Sequence, residues 1–191
     1  TQMVAKGFDF HRVAVVGVLL ADIGLNFPDF RASERVFSLL VQVAGRGGRG
    51  EAPGRVIIQT LDDERHIFKF LKNHDYYGFY RHELEVRRVL SYPPFSRITR
   101  ILTRGADETS VGEAMELVAA AVRGELTGVE GATVLGPARA PLGRIGGNFR
   151  HHLIIKSRDT RSVRPALRRA SEEKLPRGVY LEIDVDPFDM L

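Results

Sequence analysis

The sequence predicts a mixed α/β fold in two parts. Between residues 13 and 60 an apolar run, an amphipathic helix and a second apolar run follow one another. This strand–helix–strand order is typical of a parallel sheet. After residue 92 the predicted order is strand, helix, strand, strand, helix and strand, which is the βαββαβ order of an α+β, ferredoxin-like unit. Paired prolines at Pro93-Pro94 separate the two parts, because proline ends helices and holds the chain extended.

The first part opens with a predicted strand at residues 13–20, whose near-continuous apolar run indicates burial on both faces. Asp22 follows it, and a hydrophobic strand that ends in aspartate has two interpretations. One is the acidic position of a Walker B magnesium site, and the other is a loop residue at the strand end. Ile23 comes next rather than a second acid, and no G-x-x-x-x-G-K-[ST] motif occurs in the chain. We therefore favour the loop residue.

The second predicted element is a helix that ends in a glycine-arginine tract. Five apolar residues recur at helical spacing and form one buried stripe: Val36, Leu39, Leu40, Val43 and Ala44. Asp29 is the expected N-cap, and Gly45 is expected to stop the helix. Arg46 and Arg49 then leave the tract in one direction beside exposed backbone N–H groups, an arrangement that suits a phosphate. A solvated loop, or a flexible segment that binds nucleic acid, explains the same composition.

The remaining elements are predicted from periodicity and from turn residues. In the first part these are a strand at residues 54–60 and helices at 64–72 and 76–90. In the second part they are strands at 97–104, 133–140, 149–158 and 179–186 and helices at 107–126 and 162–174. The second and third of these strands are joined by a glycine-rich hairpin at residues 141–148. Ser162 is the expected N-cap of the last helix, with Pro165 in its first turn.

The composition limits the classes of function that are possible but does not identify one. The 191 residues carry a formal net charge of +4 and 43% hydrophobic residues, which permits nucleic-acid binding but does not demand it. Cysteine is absent, the six histidines show no metal-ligand spacing, and no apolar run is long enough to span a bilayer. The chain begins with threonine and shows no signal peptide, so we expect it to be a piece of a longer soluble protein.

Several motifs carry a resemblance to a known family. Gln42-x-x-Gly45-Arg46-x-x-Arg49, at the end of the predicted helix, resembles motif VI of the superfamily-two helicases. Together with it, in one order, occur Thr1-Gln2-Met3-x-x-Lys6-Gly7, Pro28-Asp29-Phe30-Arg31-Ala32, Tyr92-Pro93-Pro94-Phe95-Ser96 and Asp184-Val185-Asp186-Pro187. The ordered set covers essentially the whole chain and resembles the C-terminal part of the PriA family of primosomal replication-restart helicases.

The resemblance implies an ATP-dependent 3′-to-5′ DNA helicase. Residues 1–91 would be the rear of the second RecA-like lobe, and residues 92–191 a ferredoxin-like DNA-binding domain. ATP and Mg²⁺ would bind in the full-length parent, and the Walker A lysine and a zinc-binding segment would lie upstream. This chain alone would therefore hold no zinc and hydrolyse no ATP.

The resemblance also implies roles for individual residues. Arg49 matches the arginine finger that stabilises charge on the transferring phosphoryl group, Arg46 a second phosphate contact, and Gln42 the link between the nucleotide and the rest of the motif. Motif V residues that would touch the DNA strand are Thr1, Gln2, Lys6 and Gly7. The implied partners are branched DNA, single-stranded DNA, single-stranded DNA-binding protein and other primosome proteins, in the bacterial cytoplasm and without a membrane.

Basic residues in the second part indicate a further DNA contact. Arg150, His152 and Lys156 share one face of a predicted strand, and Arg139 and Arg144 flank the glycine-rich hairpin. Against this interpretation, the last strand of such a fold lies beside the first, so Glu182, Asp184 and Asp186 could neutralise the arginines of the first strand. Arg161, Arg164 and Arg168 are interpreted as a solvated helix face.

Two hypotheses of other classes stay open. A parent protein with this C-terminal part could lack a working Walker A lysine and act as a non-catalytic scaffold that binds forks. The glycine-arginine tract with a ferredoxin-like unit could also indicate an RNA-binding module.

Overall fold

The computed structural model describes residues 15–45 and 55–191. The chain divides into two compact units, Thr1–Glu85 and Val86–Leu191, and each has its own hydrophobic core. In the described part, no helix is both long and apolar enough to cross a membrane.

The first unit contains a short parallel sheet flanked by helices. Its elements in chain order are β1 (Val15–Val18), α1 (Asp22–Leu25), α2 (Ala32–Ala44), β2 (Arg55–Ile58), α3 (His66–Lys72) and α4 (Tyr76–Val89), the last of which continues into the second unit. β1 and β2 pair in parallel, with Val16 opposite Val56 and Val18 opposite Ile58. The predicted parallel strand–helix–strand order is therefore confirmed.

Among the described residues, the core packs against one face of this sheet. Val18 and Ile58 pack against the core, whereas Val15 and Ile57 point away from it and are 55% and 60% exposed. The expectation that the first strand is buried on both faces is therefore wrong. The apolar run reflects the strand propensity of valine as well as burial, and the two effects look alike in a sequence.

Helix α2 supplies the centre of the first core. Val36, Leu40 and Val43 are buried as the helical spacing predicts. Phe37, which lies outside the predicted stripe, is buried as well because its ring stacks on Phe79 of α4 at 3.9 Å between centroids. The buried face of α2 is therefore wider than a single stripe.

Asp29 does not cap α2. The helix begins at Ala32, and the N-cap position belongs to Arg31, whose backbone N–H donates to Asp29 Oδ1 at 2.9 Å. Asp29 Oδ2 lies 3.1 Å from Arg35 Nη2. The buried carboxylate therefore ties the turn that precedes the helix to an arginine in its first turn, a tertiary role that the cap pattern does not reveal.

Asp22 joins the ends of the two parallel strands. It is buried, and its carboxylate accepts hydrogen bonds from Thr60 Oγ1 at 2.9 Å and from the Leu61 backbone N–H at 2.8 Å. The Leu61 N–H, more than any other contact, holds the pKa of Asp22 below its usual range. Two protein donors thus occupy the carboxylate, as expected for a structural residue at a strand end.

The second unit is a four-stranded antiparallel sheet with two helices. Its elements are β3 (Arg97–Gly105), α5 (Glu108–Leu126), β4 (Thr133–Ile145), β5 (Asn148–Ser157), α6 (Arg164–Glu172) and β6 (Val179–Val185). The strands lie in the order β4-β5-β3-β6, and every neighbouring pair is antiparallel. The predicted βαββαβ sequence of elements is confirmed.

Helices α5 and α6 cover one face of this sheet. The predicted stripe of α5 is buried throughout: Val111, Ala114, Met115, Val118, Ala119 and Val122. It packs against Ile101 of β3 and against Leu153 and Ile155 of β5. Asp107 caps α5 by accepting from the Ser110 N–H at 2.8 Å. This core is the largest that the described residues form.

Two local predictions in the second unit are wrong. β4 continues to Ile145, so the hairpin turn consists of Gly146 and Gly147 alone, with φ of 55° and 85°, and not of a loop from residue 141 to 148. Positive φ at both positions is the geometry of a two-residue hairpin turn, which glycine adopts without strain. Ser162 does not cap α6, because the N-cap is Val163 and the Ser162 N–H instead donates to Asp159 Oδ1.

The burial of α5 gives a stability prediction. Met115 is 0% exposed and Leu117, two residues on, is 44% exposed. Met115→Ala is expected to lower the free energy of unfolding by about 2–5 kcal/mol, since it leaves a cavity in the core. Leu117→Ala should change it by about 0.5 kcal/mol or less. Urea denaturation of both variants checks this, and equal losses would contradict the assignment of the buried face.

Candidate nucleotide and nucleic-acid interface

Six of the predicted site residues lie outside the described part of the chain. These are Thr1, Gln2, Lys6 and Gly7 of the motif V resemblance, and Arg46 and Arg49 of the motif VI resemblance. Their roles stay predictions.

Gln42 lies on the exposed side of α2, close to its end. The opposite side of the helix is fixed by Phe37 and Leu40 in the core. The helix ends at Ala44, and the Gly45 N–H still donates to the Val41 carbonyl at 3.0 Å. Gly45 keeps a right-handed φ of −67°, so the helix ends there without a left-handed residue. The glycine-arginine tract therefore starts from a firmly anchored helix end.

A cavity of about 560 Å³ lies beside this helix end. Its apolar wall includes Val56, Phe68 and Leu71, and Asp63 and Lys72 contribute one charge of each sign. Gln42 does not line it. The described lining residues therefore contribute one acid and one lysine, with His74 beside them.

The arginines of β3 are paired with acids in β6 and directly after it. Arg97 Nη1 lies 3.0 Å from Asp186 Oδ2 and Arg100 Nη2 lies 3.4 Å from Asp184 Oδ2, while Arg104 pairs with Glu182. The expectation that the last strand neutralises arginines of the first strand is confirmed. This ladder of ion pairs leaves little unbalanced charge on that half of the sheet.

Arg150 is built into the interior of the second unit. Its side chain lies among buried groups, and Nη1 and Nη2 donate to the backbone oxygens of Leu142 and Leu191, each at 3.2 Å. Arg100 donates to the same Leu191 oxygen. Burial, followed by the nearby charge of Arg100, lowers the pKa of Arg150 from its ordinary value. The guanidinium thus holds the last residues of the chain against the sheet.

Lys156 is likewise occupied by neighbours within the second unit. Its Nζ donates to the Leu90 carbonyl at 2.8 Å and lies 3.6 Å from the centre of the Tyr92 ring. Burial lowers the pKa of the ammonium group. A cation–π contact of this kind stabilises a lysine in place.

His152 lies half-buried between Arg100 and Arg150. Burial lowers the pKa of its imidazole below 6.5, and the positive charges of Arg100 and Arg150 lower it further. Its Nδ1 is buried and makes no hydrogen bond within the described residues. These surroundings favour the neutral imidazole over the charged one.

Arg139 and Arg144 lie near the outer end of the β4–β5 hairpin. Arg139 Nη2 is 2.6 Å from Glu108 Oε1 at the start of α5. The Arg144 guanidinium lies 4.8 Å from the centre of the Phe149 ring, and within residues 15–45 and 55–191 no carboxylate pairs with it. Arg144 is exposed beside the tight Gly146-Gly147 turn. Of the five basic residues predicted to touch DNA in this unit, it has the most accessible charge.

Sequence reasoning missed the residues that cover the second face of the sheet. Tyr92 before β3, and Met190 and Leu191 after β6, lie in segments without periodicity. Tyr92 beside two prolines was the one usable signal, since an aromatic residue in a stiff turn often packs on a neighbouring surface. Within the described residues, no cluster of three or more His, Asp or Glu could hold a metal ion.

Comparison with known proteins identifies the family. Residues 88–188 match the family described as "Primosomal protein N C-terminal domain". The whole chain aligns with "Replication restart protein PriA" of Synechocystis sp. at 39% identity over 190 residues, which is 22% of that protein's length. The PriA proteins of Bacillus subtilis and Treponema pallidum are 37% and 38% identical over 100% of this chain, and the matches cover 24% and 29% of their lengths.

Among solved structures, the designed protein Foldit4 is similar at a TM-score of 0.37 and 18% identity, over 47% of this chain and 94% of that one, which is too low to support an argument about the fold. The chain spans about a quarter of the length of the curated relatives named above. The ordered motifs, the match over residues 88–188 and the identity along the whole chain agree: this chain belongs to the PriA family of replication restart proteins and corresponds to its C-terminal part.

Proposed function

We propose that the full-length parent is an ATP-dependent 3′-to-5′ DNA helicase that recognises branched DNA and restarts stalled replication forks by primosome assembly. The observation that carries the proposal is the end of α2. A helix anchored by Phe37 and Leu40 stops directly before the Gly45–Gly50 tract with Gln42 exposed, in a chain of the PriA family.

The proposed nucleotide contacts come from that tract. Arg49 is the arginine finger, Arg46 a second phosphate contact, and Gln42 the link from the nucleotide to the DNA-binding motifs. ATP supplies the phosphoryl group that is transferred to water, and Mg²⁺ balances the phosphate charge when both are bound. An exposed amide next to a fixed helix end fits such a role, because positioning groups must be held rigidly. The Walker A and zinc-binding segments belong to the part of the parent outside this chain.

The architecture that we propose has two domains, divided between residues 91 and 92. Residues 1–91 form the rear of the second RecA-like lobe, in keeping with the parallel pairing of β1 and β2 across α2. Residues 92–191 form a ferredoxin-like domain, and the strand order β4-β5-β3-β6 supports this assignment. Thr1, Gln2, Lys6 and Gly7 contact the DNA strand in the first domain.

The proposed DNA contact of the second domain is centred on Arg144, with Arg139 beside it. Arg150, His152 and Lys156 make a smaller contribution, since the two cations already bind backbone oxygens and the surroundings of His152 favour its neutral form. The proposed partners are forked and single-stranded DNA, single-stranded DNA-binding protein and the other primosome proteins, in the bacterial cytoplasm.

A non-catalytic scaffold that binds forks is the alternative function. These 191 residues contain no G-x-x-x-x-G-K-[ST] motif, so the catalytic lysine must come from the remainder of the parent. ATP hydrolysis by the parent separates the two functions.

The first prediction of the proposed function concerns Arg49. Arg49→Ala in the full-length parent is expected to lower kcat for DNA-stimulated ATP hydrolysis by roughly a thousandfold or more, because an arginine finger stabilises the transition state. Arg49→Lys should rescue little, since lysine lacks the planar fork of donors. The control, Arg177→Ala, removes an exposed arginine near β6 and should leave turnover unchanged. A parent that binds forks and hydrolyses no ATP would instead establish the scaffold.

The second prediction concerns DNA binding by the 191-residue chain itself. It should bind a fork more tightly than an unbranched duplex, weakly and with a steep dependence on salt. Arg144→Ala should weaken fork binding and reduce the slope of log K against log salt by about 1, the share of one phosphate contact. Arg168→Ala is the matched control, because its guanidinium pairs with Glu172 at 2.9 Å on a solvated helix face. Fluorescence anisotropy measures both, and equal affinity for fork and duplex at every salt concentration would refute fork recognition by this part.

The third prediction uses the pKa of His152. The unfolded chain protonates this residue near pH 6.5, whereas the folded chain does so only at lower pH. Below pH 6.5 the unfolded state therefore binds more protons, and the free energy of unfolding falls as the pH falls. His152→Gln should make that fall shallower between pH 7.5 and the native pKa. Chemical denaturation at several pH values tests this, and parallel curves for the two proteins would contradict a neutral native imidazole.

A further inference from the structure

We infer that the first turns of α4 form a stacking site for single-stranded DNA, built from Tyr76, Tyr77, Tyr80 and Arg81. This site is separate from the motif residues and from the β4–β5 hairpin. The inference rests on the proposed function, because it assumes a parent that binds single-stranded DNA and adds where on this chain a strand is bound.

The three tyrosine rings are far more exposed than the core requires. Tyr76, Tyr77 and Tyr80 are 57%, 75% and 51% exposed. The contact of α4 with the core is made instead by Phe79, whose ring stacks on Phe37 at 3.9 Å and at an interplanar angle of 8°. Exposed aromatic rings that cluster within one helical turn indicate a binding surface and not a packing need.

Two of the rings, those of Tyr76 and Tyr77, are held in place by neighbouring rings. Tyr76 lies 6.2 Å from Phe37 and 5.9 Å from Tyr77, the latter pair in an edge-to-face arrangement at 82°. The start of the helix is fixed as well, since the Gly78 N–H donates to Asp75 Oδ1 at 2.7 Å. Two perpendicular rings on a fixed helix start leave flat ring faces open to the solvent, and less rotamer freedom is lost when a ligand stacks on them.

Arg81 supplies a cation next to the rings. Tyr77 and Arg81 are four residues apart and lie on the side of α4 opposite Phe79. Arg81 Nε donates to the Tyr77 carbonyl at 3.4 Å, and within the described residues no carboxylate pairs with the guanidinium. The guanidinium is therefore available to a phosphate one turn away from an open ring.

The cation that this site offers to a phosphate is Arg81. Residues 75–81 carry the two charges Asp75 and Arg81, and Glu83 and Glu85 follow in the same helix. Asp75 is occupied in capping α4. A guanidinium beside open aromatic rings is complementary to a strand that offers both a phosphate and unstacked bases. A duplex has no free base faces, so single-stranded DNA is the occupant to which this surface fits.

The test is the affinity of the full-length parent for oligo-dT and for a blunt duplex, with Tyr77→Ala, Tyr80→Ala and the corresponding Phe variants. Each Ala variant is expected to weaken oligo-dT binding about five- to a hundredfold, because one ring–base stack is lost. The Phe variants should bind nearly as the wild type does, and blunt-duplex affinity should change little. Tyr180→Ala, which removes from β6 a tyrosine whose 57% exposure lies between those of Tyr80 and Tyr77, is the matched control.

Quenching of 2-aminopurine placed in the oligonucleotide provides a second measurement, since stacking on a ring alters its fluorescence. Loss of quenching in the Ala variants supports the site. Unchanged oligo-dT affinity in both Ala variants, or equal losses for oligo-dT and duplex, would overturn the site while leaving the proposed function intact. A wild-type parent that binds no DNA would overturn both.

Discussion

The burial of β3 on both faces is the constraint on which the second unit depends. On the helix side Ile101 packs into the core with α5 and α6, and on the other side Ile98 and Leu102 are equally buried. Antiparallel sheets of this size commonly leave one face to water. Here that face is closed around the central strand, which leaves it little room for an extended ligand.

This closure explains where the basic residues of β5 point and what they bind. Arg150, His152 and Lys156 share the face that β3 closes, so their side chains meet backbone oxygens, an aromatic ring and one another. Burying a cation is costly unless hydrogen bonds replace its water. The backbone oxygens of Leu90 and Leu191 accept those hydrogen bonds. The accessible positive charge therefore lies at Arg144 on the hairpin.

The first unit depends on a different contact, a buried pair of aromatic rings. Its core is centred on the stack of Phe37 and Phe79, which fixes α2 and α4 side by side. The same stack holds Gln42 near the end of α2 and turns Tyr77 and Arg81 outward on α4. One buried aromatic pair thus orients the two surfaces of the first unit that we propose to meet ligands.

The sequence by itself determined the order of elements, because that order depends on local periodicity. The stripe of α5 is encoded in the local sequence, and it is buried as predicted. The motif residues could also be recognised in the sequence, and they indicated the family. Tertiary structure alone decided the burial of Phe37, the role of Asp29 and the occupation of Arg150, since each depends on residues distant in the chain. A sequence pattern records what a residue is and how it is spaced, whereas the partner that neutralises a charge or covers a ring is fixed only when the sheets and helices pack.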